Sequence, residues 1–282
     1  MKIYIIIPAH NEQDCIGQTL QSLVEQILLP TKVVVVNDNS TDKTKSIISD
    51  FTDNYDWIVL VNTKSTDEHL PGSKIIQAFY KGYETLDSNY DIICKFDADL
   101  IFPKHYLKTL AEHFKANDKL GMAAGFCQIE KNGEWILENL TRKDHIRGAL
   151  KAYRKQCFLD IGKLKTSMGW DTVDELLAKF YGWEILTDDR LKVKHLKPTG
   201  ASYNKASKYL QGEAMYKMRY GFTITLISAL KLALKKRNFI LFKDYIGGYL
   251  KAKNQSRPFL VSEKQGKFIR KTRWEGMKRK FI

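Results

Sequence analysis

Four short runs of β-branched and aliphatic residues mark the first hundred positions: "IYIII" (3–7), "KVVVVN" (32–37), "WIVLVN" (57–62) and "YDIICKF" (90–96). They are continuous rather than alternating, which is the pattern of parallel strands covered on both faces. Between them the apolar spacing changes. Ile16, Leu20, Leu23, Val24 and Ile27 fall on one face of a helix, and Ile75, Ile76, Phe79, Tyr83 and Leu86 do the same for a second. Pro103 opens a third, "PKHYLKTLAEHFKA", at a position where a missing N–H does no harm. A βαβαβαβ succession predicts an α/β domain with a doubly wound, mostly parallel, Rossmann-like sheet and right-handed crossovers.

In such a sheet ligands sit beyond the carboxyl ends of the strands. That rule gathers three polar clusters on one rim: "PAHNE" (8–12), "NDNSTDKT" (37–44) and "DAD" (97–99). Each has a plain structural reading. Asn11 could cap the first helix, Ser40 or Thr41 the second, and the acid pair could be a solvated strand end. Asp97 and Asp99 are one residue apart, so on a strand both project to one face. Two carboxylates that close repel unless a cation lies between them, and a divalent ion completed by water and phosphate oxygens is the usual Mg²⁺ arrangement.

Composition narrows the class. The chain has 282 residues, 44% hydrophobic and 12% aromatic, enough for a substantial core. Its formal charge of +14 is uneven: residues 201–282 hold 20 Lys and Arg against 4 Asp and Glu, whereas residues 1–200 hold 26 against 28. We therefore expect a near-neutral domain over 1–200 and a basic helical extension over 201–282. The four cysteines form no C-x-x-C pair and read as reduced packing residues of a cytoplasmic protein. Neither a signal peptide nor a membrane-spanning segment is expected.

The motifs together resemble inverting glycosyltransferases of family 2, which have the GT-A fold. The carriers are "IIIPAHNE", "VVVVNDNSTDKT", "LPGSK" (70–74) and "CKFDADL", whose D-x-D is the family's motif. A later segment, "GWDTVDELLAKFYGWEI" (169–185), resembles the family's acidic motif, with Gly182 and Trp183 eleven and twelve residues after Asp171. The resemblance implies that Pro8, Ala9, His10, Glu12, Asp38, Lys74, Asp97 and Ala98 line the nucleotide-sugar site. It implies that Asp99, with Asp97 and His195, holds Mg²⁺ or Mn²⁺, and that Asp171 is the catalytic base. The usual Glu before that Asp is replaced by Trp170, so Asp174 stands as the second candidate base. Arg147, Arg154 and Trp170 are candidates for acceptor contacts, with a solvated helix face as the alternative for the basic stretch 142–168.

The reaction so implied moves a sugar from a UDP-sugar, or a GDP-sugar, to a hydroxyl of a glycan or lipid-linked acceptor in cell-envelope polysaccharide or lipopolysaccharide synthesis. Beyond Tyr203 the pattern turns to Lys-, Leu- and aromatic-rich helices, with Gly247-Gly248 and Arg257-Pro258 read as breaks. That region suits an anionic leaflet at the inner face of the plasma membrane, a helical appendage packed on the domain, or an oligomer interface. A D-x-D phosphatase and a non-catalytic basic protein binding membrane or nucleic acid are the competing readings. No nucleic-acid signature is present, and "PAHNEQ" lacks the glycines of a dinucleotide-binding loop.

Overall fold

The computed structural model describes residues 1–64, 72–138, 145–197 and 208–278. Leu70 and Pro71 of "LPGSK", Arg142 to Asp144, the boundary near residue 200 and Tyr203 lie outside the described residues. The chain runs β1 (Ile3–Ala9), α1 (Ile16–Val24), β2 (Lys32–Asp38), α2 (Thr44–Asn54), β3 (Ile58–Thr63), α3 (Ser73–Tyr83), β4 (Ile92–Phe96), β5 (Leu100–Ile101) and α4 (Tyr106–Ala116). It continues through β6 (Leu120–Lys131), β7 (Glu134–Leu137), β8 (Leu150–Arg154), α5 (Lys155–Asp160), α6 (Trp170–Phe180) and β9 (Glu184–His195). Four helices follow: α7 (Leu210–Lys217), α8 (Phe222–Lys236), α9 (Phe239–Asn254) and α10 (Glu263–Lys278).

The strands form one sheet in the order β3-β2-β1-β4-β8-β6-β9-β5, with β7 paired to β6. The four early strands are mutually parallel, as their continuous apolar runs predict, and β1, β2 and β4 are buried along nearly their whole length. After β3 the chain crosses back to place β4 on the other side of β1. That reversal opens a crevice between the carboxyl ends of β1 and β4, the place where a doubly wound sheet takes its ligand. Helix α3 packs closely over β1 and β2 at Gly82, where an added methyl would meet Ile6 and Val36 at 2.8 Å.

The second half of the sheet is mixed, which the sequence pattern does not foretell. Strand β8 runs antiparallel between β4 and β6, and β6 then pairs in parallel with β9. Because β8 reverses direction, its start and the end of β9 both arrive at the rim where β4 ends. The short β5 pairs Leu100 with His195, so the segment just after "DAD" is stitched to the end of β9.

Several expected local features differ. Helix α2 begins at Thr44 with Lys43 at its cap position, so neither Ser40 nor Thr41 caps it. Nor does Asn11 cap α1, whose cap position is Cys15. Instead Ser40 Oγ accepts from the Asn11 N–H at 3.0 Å, and Asn11 Oδ1 accepts from the Thr41 N–H at 2.9 Å. The cap-forming side chains tie the β1 and β2 loops together, with Asn11 and Asn39 in left-handed conformations that Asn tolerates. Gly247-Gly248 do not break a helix, since α9 runs through them. They admit a neighbour: a methyl on Gly248 would lie 2.1 Å from the Tyr209 carbonyl oxygen, and one on Gly212 of α7 would lie 1.9 Å from that of Tyr245. The C-terminal helices join the main core through Ala214, Met218, Tyr220, Ile224, Val261 and Ile269.

Candidate functional site

The rim of the β1–β4 crevice is built from loop ends that hold one another. The Glu12 N–H donates to Thr44 Oγ1 at 2.7 Å, and the Asp38 carbonyl lies 2.6 Å from His10 Nδ1. Pro8 and Ala9 are the last residues of β1, paired in register with Val36 and Asn37. Asp38 ends β2 and is nearly buried. Lys74 lies in the first turn of α3, two residues after Gly72, whose left-handed backbone packs on Ser167 and Met168 ahead of α6. Thus the rim brings the loops after β1 and β2 together, with Lys74 at the start of α3 packed beside the segment ahead of α6.

The acid pair lies across the crevice. Ala98 is fixed between its neighbours because its carbonyl accepts from Thr19 Oγ1 at 2.7 Å, and the same hydroxyl accepts from the Leu100 N–H at 3.1 Å. Asp97 donates its N–H to the Ala149 carbonyl at 2.8 Å, and Asp99 accepts from the Leu196 N–H through its carbonyl at 2.9 Å. The backbone therefore clamps both acids from α1, β8 and β9.

His195, at the end of β9, faces Asp99 with Nε2 at 3.3 Å and Glu138 with Nδ1 at 3.1 Å. Glu138 is in turn paired with Arg147. Burial alone lowers the imidazole pKa, but the hydrogen bonds to Asp99 and Glu138 outweigh it and push the value up to about 9. Ligand atoms of Asp97, Asp99 and His195 lie within 4.8 Å of one another. This donor set fits a divalent ion: carboxylates suit Mg²⁺ and Mn²⁺ alike, and Glu138 fixes the imidazole from behind as outer partners of metal-bound histidines do. Cys127, Glu138 and His195 form a second close group. Burial pushes the Cys127 thiol up to about 12.

Two buried lysines, which sequence reasoning missed, organise the other side. Lys95, 1% exposed, pairs with Asp97 and donates to the Gly148 carbonyl at 3.0 Å. A methyl built on Gly148 would sit 3.3 Å from Asp171 Oδ2, so the absence of a side chain there gives that carboxylate its room. Asp171 is half-buried in the first turn of α6. Lys151, fully buried on β8, contacts both Asp174 oxygens at 2.8 and 2.9 Å and Glu175 at 3.3 Å. Burial pulls the Lys151 pKa down, yet the facing carboxylates hold it above its ordinary value. The signal for both was present: a single Lys inside an otherwise apolar strand needs a buried partner.

Three of the expected roles fail on geometry. Asp174 is 2% exposed, and its carboxylate accepts from Lys151 and from the Tyr153 hydroxyl at 2.6 Å, so it is committed to the core rather than open to a substrate proton. Arg154 lies at the opposite end of β8, paired with Ile92. Its guanidinium donates to the carbonyls of Phe114, Asn117 and Leu120, which anchors the end of α4 and leaves the rim 's acceptor side to other residues. Trp170 is buried, with its ring 5.4 Å from the Lys95 ammonium and 5.7 Å from that of Lys151. Arg147 does reach the rim, but through Glu138. Glu12 meets Lys197 at 2.6 Å across the crevice; burial raises the Glu12 pKa and that partner offsets part of the rise.

Comparison with known proteins agrees with this geometry. The family model described as "Glycosyl transferase family 2" matches residues 4–162. A probable glycosyltransferase, YdaM, of Bacillus subtilis (strain 168) is 35% identical over 139 residues, 48% of this chain and 32% of its own length. A poly-β-1,6-N-acetyl-D-glucosamine synthase of Staphylococcus epidermidis is 24% identical over 184 residues, 59% of this chain and 42% of its own. The chain thus spans well under half of these curated relatives. Among solved structures, S. aureus TarS 1–349 in complex with UDP-GlcNAc aligns with a TM-score of 0.57 at 18% identity, covering 92% of this chain and 74% of that one. A mannosyltransferase, PcManGT, from Pyrobaculum calidifontis in complex with GDP-Man and Mn²⁺ aligns with a TM-score of 0.55 at 14% identity, covering 98% and 80%. These neighbours share the GT-A fold, and the family match over residues 4–162 sets aside the phosphatase and non-enzyme readings. The chain belongs to glycosyltransferase family 2.

Proposed function

We propose that this glycosyltransferase moves a sugar from a nucleotide-sugar, with a UDP-sugar favoured, to a hydroxyl of a glycan or lipid-linked acceptor, with inversion at the anomeric carbon. The observation that carries the proposal is the convergence of Asp97, Asp99 and His195 at the β1–β4 crevice of a family-2 domain, with Asp171 on the helix that faces them. The UDP-GlcNAc complex of TarS supports the favoured base, and the GDP-Man complex of PcManGT keeps GDP in the screen. Residues 1–200 form the transferase unit in this reading, and residues 201–282 an extension that brings it to the inner face of a membrane.

The residues divide the work. Pro8, Ala9, His10, Glu12, Asp38 and Lys74 frame the nucleotide, with the Asp38 side at the base. Asp99 and His195, with Asp97, would hold Mg²⁺ or Mn²⁺, which when bound supplies positive charge to the leaving diphosphate. Lys95 keeps a fixed cation against Asp97, so the two rim carboxylates are not left facing each other uncompensated. Asp171 takes the proton of the acceptor hydroxyl as the new bond forms, and no protein nucleophile is required for a single in-line displacement. Gly148 leaves the space in which that carboxylate turns to the acceptor.

A thermal-shift screen of UDP- and GDP-sugars, each with and without Mg²⁺ or Mn²⁺, tests the reading. A donor at 100 times its Kd should stabilise the folded chain by about 2.7 kcal/mol. The expected result is a metal-dependent rise for one nucleotide class, lost on chelation and in Asp99→Ala. No rise for any nucleotide-sugar under either metal would overturn it.

A further inference from the structure

We propose that the tip of the α8–α9 hairpin is a membrane-docking wedge that inserts apolar side chains into an anionic lipid leaflet. It deepens the membrane side of the function proposed above but is carried by separate residues. Helix α8 ends at Lys236, Arg237 turns the chain in a left-handed conformation, and Asn238 caps α9 by accepting from the Ile240 N–H at 3.0 Å. The turn is therefore built, not frayed. Every residue from Leu234 to Ile240 is exposed.

What the tip exposes is unusual for a protein surface. Leu234 is 58% exposed, Phe239 62% and Ile240 62%, with Leu230 one turn back on α8 at 44%. Solvent-exposed apolar clusters of this kind mark interaction sites. Around them stand Lys231, Lys235, Lys236, Arg237 and Lys243, and residues 214–243 contain no Asp or Glu at all. Apolar side chains at an apex with a cationic collar match a leaflet in both of its layers: the acyl boundary takes Leu234, Phe239 and Ile240, and anionic headgroups meet the lysines and arginine. The hairpin base is fixed to the body, since Gly212 and Gly248 let α7 and α9 meet backbone to backbone and Ile224 joins the core. A rigid base with an apolar tip can transmit insertion to the whole molecule. Among the described residues no helix is long and apolar enough to cross a membrane, so the contact is a surface one.

The occupant is a lipid surface rather than a second copy of this chain because the collar carries one sign of charge. An isologous pairing would set Lys235, Lys236 and Arg237 against themselves, whereas an anionic leaflet complements them. Sedimentation of the full chain with vesicles of phosphatidylcholine alone, and of phosphatidylcholine with phosphatidylglycerol, reads the proposal directly. Binding to the anionic vesicles only, weakened by salt, is expected. Neutralising Lys235, Lys236 and Arg237, each to Gln, should lower the partition coefficient by roughly 100-fold, since each basic residue near a leaflet contributes about fivefold. Phe239→Ser with Ile240→Ser should lower it at least roughly tenfold with the charge intact, while donor-induced thermal stabilisation stays unchanged. Absence of vesicle binding by the wild-type chain overturns the proposal. So does a wild-type dimer that the Phe239→Ser and Ile240→Ser changes convert to monomer without altering vesicle binding. Retained donor binding in either case leaves the transferase reading standing, so the two fail separately.

Discussion

At the scale of single residues, the site is defined by which charges are given partners. Lys151 carries the most: it holds Asp174 and Glu175 inside the core, and Tyr153 completes Asp174. Removing one partner of a buried pair leaves the other uncompensated, so Lys151→Met should cost about 3–5 kcal/mol of stability, read by denaturant unfolding. Adding Asp174→Leu should restore part of it: one stranded carboxylate is then gone and Glu175 keeps His145 at 2.9 Å, although the Tyr153 hydroxyl loses its acceptor. The spacing of the "DAD" acids singles them out in the sequence, whereas Asp171 and His195 are singled out only through the family resemblance. Glu138 and Lys197 are not singled out, and for Lys95 and Lys151 the apolar strand signals only that a buried partner exists, not which one: Lys95 reaches Gly148, Lys151 reaches Asp174, and His195 reaches Glu138. Trp170 shows the same limit from the other side. Where the family's acidic motif, as the resemblance reads it, has a Glu, this chain places an indole over two buried ammonium groups, and only the fold reveals that the position is interior.

At the scale of elements, the early strands were readable because each is buried on both faces and so is written as an unbroken apolar run. Strands β6 to β9 were not, because their order depends on antiparallel insertion of β8, which no local pattern encodes. Their alignment is held by contacts such as Asp188, which joins β9 to α4 through His113 at 2.7 Å and pairs with Arg190 at 2.6 Å. The Arg190 hydrogen bond, reinforced by His113, holds the Asp188 carboxyl well below the usual carboxylate range. A depressed folded pKa contributes stability above the unfolded value of roughly 4 and loses it as pH falls below that value. Asp188→Asn should therefore melt at a lower temperature than wild type at pH 7, with the gap narrowing by pH 3. The glycine contact of α7 and α9 makes a second element-scale expectation. Gly248→Ala drives a methyl into the Tyr209 carbonyl, so the mutant should lose the α8–α9 region first, seen as early protease cleavage there while the sheet remains protected.

At the scale of the whole molecule, a near-neutral sheet domain carrying the crevice is joined to helices with a strong positive excess. The parallel half of the sheet carries the residues proposed to frame the nucleotide, and the mixed half delivers His195 and the start of β8 to the same rim. Family membership follows from this arrangement and from the match over residues 4–162, while the identity of donor and acceptor rests on side chains that vary within one scaffold. The central claim is that Asp171 is the proton acceptor at a nucleotide-sugar site. Its most direct test is single-turnover sugar transfer by Asp171→Asn beside donor affinity measured by calorimetry. Transfer should fall by ~100- to 10,000-fold with donor affinity unchanged, since general-base assistance has that size. Transfer near the wild-type rate would contradict the assignment.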